Sequence, residues 1–146
     1  MPRLQAISSA ALAALAAILA GCGAGGAEGG ATVSVYAAAP LCREARQGAG
    51  AAGGLEVRVV CLRPRGRGDS ALAAAGADAR QATEDSTSVA FLEAPGPTAK
   101  FSQSIVEAAG VAWLQTRSGA TAMQRIVKAI EGDGSSPRKA VLDEVG

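Results

Sequence analysis

An α/β fold with a parallel sheet is predicted for residues 32–146 by two features of the chain. Apolar, β-branched runs alternate with amphipathic stretches. Each run is also short and separated from the next by a segment long enough for a helix. The order reads βαβαβαβαα, which implies a three-layer sandwich with a four-stranded parallel sheet. Right-handed crossovers place the second strand beside the first and the third and fourth on the other side, giving the order 2-1-3-4.

Residues 32–38 (TVSVYAA) form the first expected strand, and 41–47 (LCREARQ) a short helix. Residues 56–62 (EVRVVCL) are the second strand. Residues 69–85 read as a helix capped by Asp69 and Ser70, with Leu72, Ala75, Ala79 and Ala82 on one face. The third strand is 88–93 (SVAFLE). A helix over 98–109 carries Phe101, Ile105 and Ala108 on one side and stops at Gly110. The fourth strand is 111–115 (VAWLQ). Residues 119–131 give the clearest helical spacing, through Met123, Ile126, Val127 and Ile130. Ser136 and Pro137 then look like the cap and first residue of a last helix ending at Val145.

Ahead of this domain, Arg3 precedes an uncharged stretch rich in Ala, Leu and Ile that runs to Ala20. Its length suits a signal h-region and is at the short end for a membrane span. Leu19-Ala20-Gly21-Cys22 closes it, and these four residues resemble the lipobox of bacterial lipoprotein precursors. The resemblance implies that residues 1–21 are a signal peptide, that Cys22 is diacylglycerylated on its thiol, and that its freed amino group is acylated after cleavage. The expected location is the cell membrane, lipid-anchored on the extracytoplasmic face, since two or more acyl chains hold a protein durably. An uncleaved alanine-rich anchor helix is the competing reading. Residues 22–31 are then the lipidated cysteine and a glycine-rich tether, whose nine residues 23–31 reach roughly 15–18 Å root-mean-square.

Without residues 1–21 the chain has 125 residues, 13 bases and 13 acids, enough for one domain. A net charge of zero argues against nucleic acid as a partner. Arg63, Arg65 and Arg67 are a local basic patch within that neutral total. There is no histidine, which removes Ser-His-Asp and Cys-His catalysis and histidine-ligated metal sites. No catalytic residue, metal site or cofactor is expected. The adjacent acids Glu84-Asp85 and Asp143-Glu144 read as solvated helix ends.

With Cys22 lipidated, Cys42 and Cys61 remain as an even pair outside the cytoplasm, where disulfides persist. Neighbouring parallel strands would bring both to one edge at a separation a bridge can span. A disulfide is the leading expectation. A reactive Cys42 thiolate beside Arg43, or two buried free thiols, are the alternatives.

In a sheet of this order, ligands bind beyond the carboxyl ends of the strands, near the switch point between the first and third. Those ends lead into Ala39-Pro40, residues 63–68, residues 94–97 and residues 116–118. Residues 48–53 (GAGAAG) spell GxGxxG but follow a helix and precede a strand, so they read as a glycine-rich connector. Gly66-Arg67-Gly68-Asp69-Ser70-Ala71 is a looser match in a better position, though no acidic partner is well placed. The tripeptide Arg67-Gly68-Asp69 reads as a coincidence of composition.

Several segments resemble type I periplasmic solute-binding proteins of the branched-chain amino-acid kind. Val33-Ser34-Val35-Tyr36 with Ala39-Pro40-Leu41 is similar to that family's first strand and loop. Ala77-Asp78-Ala79-Arg80-Gln81-Ala82, Asp85, Val89-Ala90-Phe91-Leu92 and Glu93 resemble its second helix and third strand. Phe101-Ser102 and the run from Ser104 through Ile105, Val106, Glu107, Ala108, Ala109 and Gly110 to Val111 resemble the helix that follows. The resemblance covers residues 32–131 and implies a single lobe of the type I periplasmic-binding fold. It also implies lipid-anchored capture of a small polar solute, such as an amino acid, for an ATP-driven permease. Ser104 stands where that family has proline, and the first helix is short. Thr98, Thr116 and Ser118 are the nearest equivalents of the hydroxyl residues that hold the ligand. One lobe cannot close around a ligand alone; a homodimer or another envelope protein would complete the cleft. The alternative is a non-enzymatic envelope scaffold or regulatory lipoprotein that binds a protein and no small ligand.

Overall fold

The computed structural model describes residues 31–145. The expected signal peptide, the expected lipidation site Cys22 and nearly all of the expected tether lie outside the described residues. The strands are β1 (Thr32–Ala37), β2 (Gly50–Ala52), β3 (Leu55–Cys61), β4 (Ser88–Glu93) and β5 (Ala112–Gln115). The helices are α1 (Cys42–Gln47), α2 (Asp69–Glu84), α3 (Ala99–Ala108), α4 (Gly119–Gly132) and α5 (Pro137–Val145), with one 3₁₀ turn at Ala39–Leu41. The sheet order is β2-β3-β1-β4-β5, with β1, β3, β4 and β5 parallel.

The four parallel strands therefore lie in the expected order, but the sheet is five-stranded and mixed rather than four-stranded and parallel. The added strand comes from the stretch read as a connector. Ala52 pairs with Leu55 across Gly53-Gly54, and β2 runs antiparallel to β3. Both turn glycines have positive φ, 56° and 78°, the backbone of a two-residue hairpin turn that any larger residue disfavours. Because GxGxxG here closes a hairpin, its amides are not gathered at a helix N-terminus.

The sheet has helices on both faces. On one side Leu41, Ala45, Ala122, Met123, Ile126, Ile130 and Val141 pack with Val33, Val35, Ala90 and Leu92. On the other, Ala79, Ala82 and Val106 pack with Tyr36, Leu62 and Phe91. One helical face is as expected save for one residue, and another is rotated from its expected phase. In α2 the buried residues are Ala71, Ala75, Gly76, Ala79 and Ala82, while Leu72 is exposed. In α3 they are Ala99, Ser102 and Val106, while Phe101 is exposed. Gly68 occupies the α2 N-cap with no side-chain bond to the first turn, and Ser70 Oγ donates to the Arg67 carbonyl instead.

At the amino edge of the sheet, Tyr36 donates to Asp85 Oδ2 at 2.9 Å, and Asp85 Oδ1 accepts from both the amide and the hydroxyl of Thr87. Burial, then the bond to Asp85, pushes the Tyr36 hydroxyl up from 10.0 to about 12. Burial alone would raise the Asp85 carboxyl, but the bonds from Thr87 and Tyr36 outweigh it and hold it below the usual range. For Tyr36 the raised value means stability that is complete below pH 10 and lost as pH rises through about 12. For Asp85 the sign reverses: its contribution is present above the ordinary carboxylate range and lost as pH falls through the depressed value. The chain has one tyrosine, so an ultraviolet absorbance titration reports Tyr36 alone. The expected midpoint for the folded protein is about 12. An ordinary tyrosine midpoint in the folded state would contradict the Tyr36–Asp85 contact.

Candidate functional site

The carboxyl ends of β1, β3 and β4 enclose a cavity of about 250 Å³. Its walls are largely apolar, from Ala38, Ala39, Pro40, Pro64, Ala94 and Pro95. The chain turns to opposite faces of the sheet after β1 and after β4, so this is the topological switch point of the fold. Prolines at positions 40, 64, 95 and 97 restrict the backbone of these loops and remove donors that would otherwise need partners.

The polar part of the wall is one connected cluster around Arg65. Its Nη1 donates to Glu93 Oε1 and Oε2 at 3.1 and 3.0 Å and to Thr98 Oγ1 at 3.1 Å. Its Nε donates to Asp78 Oδ2 at 2.9 Å. Ser102 Oγ lies 2.6 Å from Glu93 Oε2 as donor and accepts from Trp113 Nε1 at 3.4 Å. Glu93 is 2% exposed, so its charge is viable only because Arg65 and Ser102 face it. Burial would lower the Arg65 pKa, but the bonds to Asp78 and Glu93 outweigh that and raise it, so it stays charged. One guanidinium thus ties the loop after β3 to the end of β4, to α2 and to the start of α3. Arg65 Nη2 is buried without a partner among the described residues.

Thr98, the N-cap residue of α3, lines this cavity and accepts from Arg65. Thr116 and Ser118 sit in the loop after β5, and neither lines it. Thr116 Oγ1 donates to the Ser118 carbonyl and accepts from its amide. Ser118 Oγ caps α4 by accepting from the Thr121 amide and donates to Glu44. The structure therefore brings Thr98 alone of the three to the cavity, and adds Arg63, Arg65 and Glu93.

Cys42 and Cys61 are bonded at the same edge, with Cα atoms 5.4 Å apart. The bridge joins the first residue of α1 to the last of β3, just ahead of the Arg63 loop. Among the described residues there is no cluster of three or more His, Cys, Asp or Glu that could hold a metal, and no helix long and apolar enough to cross a membrane.

Fold and site together define a doubly wound α/β domain with one cavity at the switch point of its sheet. No protein-family model, curated protein or solved structure matches the chain.

Proposed function

We propose that this chain is a lipoprotein, held to the outer face of the cell membrane through acylated Cys22, whose α/β domain is a single solute-binding-like lobe. The observation that carries the reading is the cavity at the carboxyl ends of β1, β3 and β4, where sheets of this topology take their ligands. Its volume suits a small solute such as an amino acid, whose polar groups would meet Thr98 and Arg63. Arg65 and Glu93 are positioning residues on this reading. Their mutual bonds tie the loop that carries Pro64 to the end of β4 and fix the shape of the cavity wall. No catalytic step is assigned, because the acid, the Ser102 hydroxyl and the Arg65 guanidinium are bonded to one another. Delivery to an ATP-driven permease would follow the resemblance to type I solute-binding proteins.

A second reading is favoured by one feature away from the cavity. Leu72 and Phe101, 44% and 42% exposed, lie together on the outer face of α2 and α3. An envelope scaffold could use them as a protein contact. A thermal-shift screen of amino acids, their amides and small organic acids separates the two. Solute binding predicts a rise in melting temperature that Thr98→Val reduces and Phe101→Ser leaves unchanged. No rise at millimolar solute would sink the solute reading. Intact-mass analysis of membrane-extracted protein checks the lipid at Cys22.

A further inference from the structure

We infer that the surface closing over the carboxyl edge belongs to a partner protein rich in Asp and Glu, and that two copies of this chain do not close over each other. The inference rests on the reading above that this edge is the binding face. The segments that follow the parallel strands, residues 38–45, 62–72, 94–102 and 116–122, hold six bases and two acids. The rest of the described chain holds seven bases and ten acids. Arg65 is paired with Glu93, at the end of β4, and with Asp78; with those two acids counted the edge is formally +2 and the remainder −1. A near-neutral total conceals an excess of bases at this edge that are unpaired among the described residues.

The charge on this edge is available. Arg43, Arg63, Arg67, Lys100 and Arg117 are all exposed, and none forms an ion pair among the described residues. Of the two acids, Glu44 is held against Ser118 Oγ and the Ala120 amide. Helices α2, α3 and α4 all start at this edge, so their N-termini add positive partial charge to it. The bases are spread from β3 to β5, about 15 Å across four strands at ordinary strand spacing. That is wider than the cavity and suits an extended anionic surface better than one small anion.

The same charge argues against self-closure. A two-fold dimer presents the same patch from both copies, so cavity-to-cavity pairing would set the same unpaired bases against one another. Like charges across an interface oppose association. An acidic face on a different protein meets the edge with attraction, faster encounter and a marked salt dependence.

The test is an NMR titration of the full-length, ¹⁵N-labelled chain with a peptide of about ten residues alternating Glu and Gly, at about 20 mM salt. Saturable amide shifts confined to residues 38–45, 62–72, 94–102 and 116–122 are expected, with affinity falling about tenfold at about 150 mM salt. The variant Arg63→Glu/Arg67→Glu/Arg117→Glu changes only exposed side chains; it should keep the dispersed spectrum and lose the response. The inference is overturned by an absent or scattered response, or by a triple variant that responds like the parent. It is equally overturned by a cavity-to-cavity dimer at low salt, or by tighter binding of a DNA oligonucleotide or of phosphatidylglycerol vesicles to the same edge. Solute binding without a peptide response removes this inference alone. A peptide response without solute binding removes only the solute reading.

Discussion

Arg65→Met lowers the melting temperature by roughly 16 °C, on a loss of about 4 kcal/mol for leaving a buried carboxylate without its partner. The size follows from Glu93, which is 2% exposed and has only Ser102 left to face it once the guanidinium is gone. Asp78, nearer the surface, suffers less. The double variant Arg65→Met/Glu93→Gln should recover more than half of the loss, because the uncompensated charge is removed and the amide still accepts from Ser102. Thermal denaturation followed by the fluorescence of Trp113, the one tryptophan of the chain, checks both and reports from inside the cluster. A single variant melting within about 3 °C of the parent would show that Glu93 is not held by this pair. So would a double variant no better than the single one.

Removing the Cys42–Cys61 bridge costs about 3 kcal/mol and roughly 12 °C in melting temperature, from the freedom returned to a loop with a sequence separation of 19 in the unfolded chain. The pair Cys42→Ser/Cys61→Ser and the parent under reductant should agree with each other. Calorimetry with and without reductant decides it, and an unchanged parent under full reduction would dismiss the bridge as a source of stability. Because the bridge sits between α1 and the loop that carries Arg63 and Arg65, its loss should also loosen the cavity wall more than the amino edge. Hydrogen exchange over residues 62–68 against residues 85–88 reads that difference.

Legibility along the chain followed contrast between side chains. The strand over 88–93 and the start of the helix at Gly119 are where the sequence reading places them, because Val, Phe, Leu and Ile there stand out from their neighbours. Strand β2 was hidden because Gly-Ala-Ala has no strand preference of its own; only the Gly53-Gly54 turn marks it. In α2 only Leu72 was misplaced, Ala75, Ala79 and Ala82 being buried as expected, whereas the face of α3 slipped in phase. Alanine lies on every side of α2, so the larger Leu72 was drawn onto the buried face. In α3 the inward position is taken by Ser102, which Glu93 requires, and Phe101 is left outside.

The site was less legible than the fold. Arg63, Arg65 and Arg67 form a visible basic patch, but only tertiary structure distinguishes the half-buried, paired Arg65 from its exposed neighbours. A signal was present: an acid ends a fully buried strand at Glu93 and needs a cation close by. Thr116 and Ser118 carry the right hydroxyl chemistry for a ligand, yet the start of α4 has its own orphan amides, and Ser118 serves those.

The place of β1 in the sheet has a mechanical consequence. It is the first strand of the described chain and also the middle one, flanked on both sides by parallel neighbours. A pull on the chain entering at Thr32, directed along the strand, loads the ladders to β3 and β4 in shear, so their bonds share the force instead of opening one after another. Whatever tension an upstream attachment transmits thus falls on a strand bonded along both sides, at the end away from the cavity mouth.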